Sequence, residues 1–325
     1  MEENKMARNL LLCFGFFIFS YSLSHAQCCS AGNPFFYGEQ ANIGHKQLQI
    51  ITGYKYSLSD QYYSGDGKVD IDFIDKAYFN YLNLQLIYGI TRKLSIQTDI
   101  GYFVNRTEQY KTESWKTING YGIGDAGLTV KYLAYKSFVR KFSIIPSVGI
   151  KFPIGVFDQE FDHVKLPITV QPSSGSFKYL VNLYMSKSFK GTKFNLGFFG
   201  SAEFPQLIDS DNFYYKYGNM YLFSLVGSYY LTDNLTLGFE VRNENRSKAT
   251  RGDDQIVESS GYLIFYAVPH VSYAFAEKWF VAINSDIPFY KYYNGIQLAN
   301  KFAISARLSY RIDFKKKILE EVEIN

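Results

Sequence analysis

Few residues in this chain are of a type and spacing that could do covalent chemistry. Beyond the N-terminal leader the histidines are His45, His163 and His270. His270 and Ser272 stand two apart, so on a strand they share one face, as a base and its nucleophile would. On a barrel strand that face is the inward one, whereas a hydrolase acting on lipid needs its site toward lipid. No Ser/His/acid grouping and no metal-ligand spacing is visible, so no catalytic residue, cofactor or metal site is expected.

Short motifs fare no better. Gly122-Ile123-Gly124-Asp125-Ala126-Gly127 spells the dinucleotide fingerprint, which needs a strand before it and a helix after it. Here an alternating strand comes next, with Ala126, Leu128, Val130 and Tyr132 set against Asp125, Thr129 and Lys131. Arg251-Gly252-Asp253 reads as a charged turn, and Asn105-Arg106-Thr107 and Asn245-Arg246-Ser247 as chance glycosylation sequons. Cys28 and Cys29 are adjacent, which strains any disulfide between them, and Cys13 falls in the leader.

The elements carrying these residues are strands. Alternation of period two runs through Lys93 to Val104, where Leu94, Ile96, Thr98, Ile100, Tyr102 and Val104 oppose Lys93, Ser95, Gln97, Asp99 and Gly101. It recurs over Asn234 to Arg242 and Lys301 to Phe314. Such segments are longer than the roughly 5–6 residues usual in soluble sandwiches and match a tilted strand crossing a bilayer. Spans are expected at 47–58, 77–90, 93–104, 122–135, 141–153, 176–189, 193–204, 215–232, 234–245, 258–275, 278–288 and 298–314. Short turns fall at Thr91-Arg92, 136–140, 190–192, Asp233 and Ala276-Glu277. Longer polar loops are expected at 59–76, 105–121, 154–175, 205–214, 246–257 and 289–297. Short turns on one side and long loops on the other define an outer-membrane barrel, and an even strand count leaves both ends on the short, periplasmic side. Pro146 and Pro269 fall inside expected strands and mark bulges or kinks.

The expected fold is therefore all-β: a transmembrane antiparallel up-and-down β-barrel of about 12 strands after a signal peptide. Residues 1–26 form that peptide, with Lys5 and Arg8 before the apolar run Leu10 to Leu23 and cleavage after Ser24-His25-Ala26. The run is short for a membrane anchor, and Gln27 before Cys28 disfavours lipidation. A short periplasmic segment, 27–46, precedes the barrel, 47–314, and the Gly, Pro and small residues of its start, Cys28 to Pro34, suit that start to tuck into the lumen as a small plug. A periplasmic tail, 315–325, extends beyond an aromatic-ended last strand. Tyr and Phe number 29 each and bring the aromatic share to 18%, which suits interfacial girdles above and below a membrane. The neighbourhoods of Thr91, Asp233 and Ala276 resemble one another, each with an aromatic before a tight polar turn. A net charge of +4 with interleaved signs excludes a basic nucleic-acid stripe.

Closure puts every second side chain in lipid and the others in the lumen. The candidate lumen lining is Gln85, Gln97, Asp99, Asp125, Lys131, Lys151, Asn195, Glu203, Glu240, Arg242, His270, Arg307 and Arg311. These residues either brace the interior or select what passes through it.

One group of motifs carries a family resemblance. Tyr88-Gly89-Ile90-Thr91, then Gly122 to Leu128, then Pro146-Ser-Val-Gly149-Ile-Lys151-Phe-Pro153-Ile-Gly155 resembles outer-membrane barrels of the "MetA-pathway of phenol degradation" transporter-like family, distant relatives of FadL-like channels. The resemblance covers roughly residues 85–155. It implies passage of small, hydrophobic or aromatic, molecules. The expected partners are outer-membrane lipid, the barrel-assembly machinery with periplasmic chaperones, and a small-molecule solute. The alternatives are a structural or surface-binding barrel, argued from loop tyrosines such as Tyr62-Tyr63, Phe213-Tyr214-Tyr215 and Tyr290 to Tyr293, and an outer-membrane lipid-modifying enzyme.

Overall fold

A computed structural model of the chain describes residues 43–111, 116–210, 213–252 and 254–314. The leader, most of 27–46 and the tail from 315 lie outside the described residues, as do the readings placed on them. Regular structure among the described residues is all strand. The wall strands are β1 Gln47–Gly65, β2 Ile74–Gly89, β3 Leu94–Tyr110, β4 (Thr117–Ile123 continued by Ala126–Tyr132), β5 Phe142–Phe152, β6 Lys178–Ser188, β7 Phe194–Pro205, β8 Met220–Tyr230, β9 Leu235–Arg246 and β10 Tyr262–Phe275. The last stretch, Trp279–Asp313, doubles back at Asn294-Gly295, where Gly295 has φ 60°. Its first half, β11 (279–293), pairs with β10, and its second, β12 (296–313), pairs with β1. The halves also meet each other: Arg311 N–H donates to Lys278 O at 3.0 Å, and the Trp279 and Tyr310 rings lie 4.5 Å apart. Neighbours in the chain pair antiparallel around the ring, and β12 with β1 closes it. The chain thus makes twelve passes.

Every expected span overlaps one of these strands, but 215–219 and 258–261, expected as strand, lie ahead of β8 and β10, and Phe213–Lys216 pairs away from the wall. The difference is at the loop side, where strands run on through 59–65, 105–110 and 289–293, which the sequence predicts as loop. Two adjacent residues suffice to reverse a strand when the second tolerates positive φ, as Asn294-Gly295 does. The turn resemblance has a physical cause. Thr91 Oγ1 accepts from Lys93 N–H and Leu94 N–H at 3.1 and 2.9 Å, and Thr232 Oγ1 accepts from Asn234 N–H and Leu235 N–H at 3.2 and 2.9 Å. One hydroxyl satisfies donors that the tight turn leaves without a ladder partner.

The outer face is apolar. Leu82, Leu84, Ile100, Tyr102, Val148, Val181, Phe223, Leu225, Phe239, Ile283, Ile304 and Leu308 are all exposed. Exposed apolar surface running round a whole barrel far exceeds what a water-soluble protein tolerates, so lipid covers it. Rings gather at both rims, with Phe275, Trp279 and Tyr310 together at the short-turn end and Tyr56, Tyr78 and Phe302 at the other.

Both prolines sit where a ladder is interrupted. The β4–β5 pairing stops at Lys131 and Ser147, one residue before Pro146. The β10–β11 pairing skips from Ala267 to His270, across Pro269. A proline lacks only the donor that those gaps leave unused.

At the long-loop end the chain builds a cover. Ile208–Ser210, Phe213–Lys216, Thr250–Arg251 and Gln255–Ile256 form a small sheet. Ile208, Tyr215 and Ala249 bury together there against Phe157 and Ile168 of the β5–β6 loop. This corrects the expectation of exposed tyrosine clusters. Tyr62, Tyr215 and Tyr293 are buried, while Tyr214, Tyr290 and Tyr292 are exposed. Adjacent tyrosines on a strand point to opposite sides, so only part of each run meets solvent.

Candidate functional site

Among the described residues, two cavities in the barrel interior share no lining residue. The one nearer the loops, of about 190 Å³, is lined by Tyr81, Phe103, Tyr217 and Tyr262 together with Asp99, Arg106, Asp125, Lys151, Lys178, Glu203 and Arg246. The one nearer the short turns, of about 310 Å³, is lined by Lys55, Asn195, Glu240, Arg242, His270, Ser272, Asp286 and Arg307, among others. Between them lies a cross-strand row on β8, β9 and β10, in which Leu222 opposes Glu244 and Glu244 opposes Ile264. All three are buried.

Alternation places the charges. On β9 the inward positions read Glu240, Arg242, Glu244, Arg246, so sign alternates at every second residue. Arg242 reaches Glu244 at 3.0 Å and Asp286 of β11 at 3.0 Å, and Lys55 of β1 meets the same Asp286 at 2.9 Å. These side chains are at most 5% exposed. The two bridges to Asp286 each span an intervening strand, so the network runs round the wall. The Arg242 guanidinium also lies 4.8 Å over the Tyr266 ring, a further favourable contact for a buried cation.

In the loop-side cavity Lys151 pairs with Glu203 at 2.7 Å and Lys178 with Asp125 at 3.3 Å. Asp125 sits at the break in β4. There Gly122 adopts φ 129°, a conformation that suits glycine, and Gly124 N–H donates to Gly101 O at 2.9 Å. The Gly-rich motif is therefore a strand break that aims one carboxylate at a loop. Asp125 accepts from Ser173 Oγ at 2.7 Å, Ser174 N–H at 3.0 Å and Ser174 Oγ at 2.5 Å. Arg106 donates to Gln171 O at 2.7 Å, and Gln171 Nε2 bonds Gln159 O and Leu166 O, each at 3.0 Å. Gln159 in turn clasps the edge of β4, accepting from Tyr121 N–H at 3.1 Å and donating to Tyr121 O at 2.5 Å. The β5–β6 loop is thus fastened over and into the mouth.

The predicted lining residues divide by place. Asp99, Asp125, Lys151 and Glu203 face the loop-side cavity, and Asn195, Glu240, Arg242, His270 and Arg307 the other. Gln85, Gln97 and Lys131 are buried on the interior wall but line neither cavity. Arg311 is in inward register and exposed at the short-turn rim. Lys55, Lys178, Glu244, Arg246 and Asp286 went unpredicted. For Glu244 and Arg246 the signal was present, since they continue the Glu240, Arg242 series. His270 and Ser272 do share the interior face.

A closed antiparallel ring, apolar outside and charged within, defines a membrane-spanning β-barrel. The chain shares the fold of the COG4313 outer membrane channel from Pseudomonas putida F1: the TM-score is 0.69 over 86% of this chain and 100% of that one, at 15% identity. The transport unit of the autotransporter AIDA-I from Escherichia coli (12% identity, 88% and 95% covered, TM-score 0.48) and a FadL homologue from Pseudomonas aeruginosa (11%, 83% and 90%, TM-score 0.38) are more distant in shape. No protein-family model and no curated protein matches the chain.

Proposed function

We propose that this barrel lies in the bacterial outer membrane and conducts small solutes passively through its interior. The observation that carries the reading is the stacking of two polar-lined cavities along the inside of a closed, lipid-facing barrel. Water-sized space flanked by charges lets a small molecule exchange hydration for protein contacts in stages. The loop-side cavity pairs cations with rings: Arg106 over Phe103 at 5.3 Å, Lys178 over Tyr217 at 5.4 Å and Arg246 over Tyr262 at 6.0 Å. That mixture suits small molecules with an apolar or aromatic body, in keeping with the resemblance of residues 85–155 to the MetA-pathway transporter-like family. Passage requires the Leu222, Glu244, Ile264 row to part, a side-chain movement between two spaces already present. The burial of Tyr62, Tyr215 and Tyr293 removes much of the case for a surface-binding barrel.

Planar-bilayer recording tests the reading, with liposome swelling in sugars, amino acids and aromatic acids beside it. Discrete small conductance and size-dependent swelling are expected. A refolded barrel that neither conducts nor swells vesicles with any of these would overturn it.

A further inference from the structure

We infer that one arc of the short-turn rim is a binding surface for anionic phospholipid, recognised by its headgroup phosphate in the leaflet that the short turns meet. The β4–β5 and β6–β7 turns are neighbours, because β5 pairs with β6 and Ser188 N–H donates to Lys141 O at 2.9 Å. The first turn carries Lys136, Arg140 and Lys141; the second carries Lys190 and Lys193, with Lys187 at its edge. Arg92 and Lys93 extend the arc on the β2–β3 turn, where Leu133 N–H donates to Lys93 O at 2.7 Å. Residues 90–93, 133–141 and 187–194 contain no Asp or Glu. The rest of the rim differs. Among the described residues, Lys46, Lys278 and Arg311 stand there against Asp233, Glu277 and Asp313, so its charges cancel. Like charges crowded on one arc repel one another, and an anionic surface relieves that repulsion.

Apolar side chains in the same turns favour lipid over a soluble acidic partner. Phe138 and Val139, between Lys136 and Arg140, are 80% and 87% exposed, more than any other large apolar side chain among the described residues. An acidic protein or polysaccharide would meet the cations and leave these two in water, whereas a membrane boundary accepts both. The depth also fits. Tyr135 and Phe142 lie 6.1 Å apart, Phe189 and Phe194 5.7 Å apart, and such rings mark the level where hydrocarbon gives way to headgroups. Cations in the turns just beyond that level stand beside phosphate. Lys187 Nζ donates to Arg140 O and Lys193 Nζ to Leu231 O, so two of the ammoniums brace the turns that carry the others. Lys136, Arg140, Lys141 and Lys190 are exposed. Lipid binding of this kind needs only a lipid-facing wall and is independent of whether the barrel conducts.

The test is lipid selectivity of the full mature chain, refolded in phosphatidylcholine vesicles that carry a trace of spin-labelled phosphatidylglycerol or spin-labelled phosphatidylcholine. Electron spin resonance reads the share of each label held at the protein surface. The wild type is expected to prefer phosphatidylglycerol by about twofold or more, and about 0.5 M NaCl should largely remove the preference. Lys136→Gln, Arg140→Gln, Lys141→Gln and Lys190→Gln together should bring the two labels to parity. Lys46→Gln, Lys278→Gln and Arg311→Gln together, on the balanced part of the rim, should leave the preference standing. Equal retention of both labels by the wild type, or a preference that survives the first set of substitutions in barrels of unchanged heat-modifiable mobility, would overturn the inference. Should that set prevent folding, bimane on Val139→Cys in a Cys28→Ser, Cys29→Ser background serves instead. Spin-labelled phosphatidylglycerol should quench it more strongly than spin-labelled phosphatidylcholine, and equal quenching would be as decisive against the assignment.

Discussion

The two halves of the interior are fastened by different means. Near the short turns, the charges bond from strand to strand: Lys55 of β1, Asp286 of β11 and Arg242 of β9 form one buried chain carried entirely on wall strands. Near the loops, strand-to-strand pairs such as Lys151 with Glu203 stand beside charges that bond from wall to loop, as Asp125 does to Ser173 and Ser174 and Arg106 to Gln171. Strand-to-strand bonds can open only if the barrel does. Wall-to-loop bonds can open while the barrel stays whole. The short-turn half is thus built for rigidity, and the loop-side half for adjustment.

The largest effect expected from breaking this contrast is at Asp286. Asp286→Ala leaves two buried cations without their shared partner and should cost about 3–5 kcal/mol in urea unfolding from lipid vesicles. A loss below about 1 kcal/mol would mean that water already shares the network. Next comes Gly238→Ala, whose new Cβ would overlap the His270 ring. Because this wall cannot yield, a cost of about 1–3 kcal/mol is expected, together with lower conductance as the imidazole turns into the cavity. Asp125→Ala sharpens the other side of the comparison. It should cost only about 1.5 kcal/mol, yet raise conductance and speed tryptic cleavage after Lys165, because the loop is released and the ring is not. The smallest effect is assigned to an exposed loop pair, Asp72 and Lys111 at 2.8 Å. The Lys111 ammonium, bonded to Asp72, holds that carboxyl below its usual range. Any stability so gained is present above the ordinary carboxylate pKa and fades as pH falls through the lowered one. Asp72→Asn should leave the thermal transition at pH 7 unmoved, since solvent screens both partners.

Strands with clean alternation were legible from the residues alone. β3, β9 and β12 carry polar side chains inward and apolar ones outward, so period and facing are both readable. β10 was harder. Tyr262, Ile264, Tyr266 and Val268 face the interior, so both of its faces are apolar and periodicity cannot tell them apart. Individual lining residues could be proposed because inwardness is a local property. Their pairing could not, since Lys55 and Asp286 lie 231 residues apart and meet only through the order of strands around the ring. The Asp125 latch was hidden for a similar reason: serines in a polar loop show no period, and nothing local marks them as partners of a distant carboxylate.

The seam of the barrel joins the earliest wall strand to the latest, with Gln47 opposite Asp313 and Tyr56 opposite Ile304. A nascent chain can therefore never begin shutting its sheet while synthesis is under way. Until residue 313 is translated, β1 has an unzipped border that water must solvate, and no stage of the growing polypeptide is fit to enter hydrocarbon. Translation and membrane entry are separated in time by topology alone. A stop codon at 296 would strand the product outside the bilayer with two bare borders exposed to aggregation.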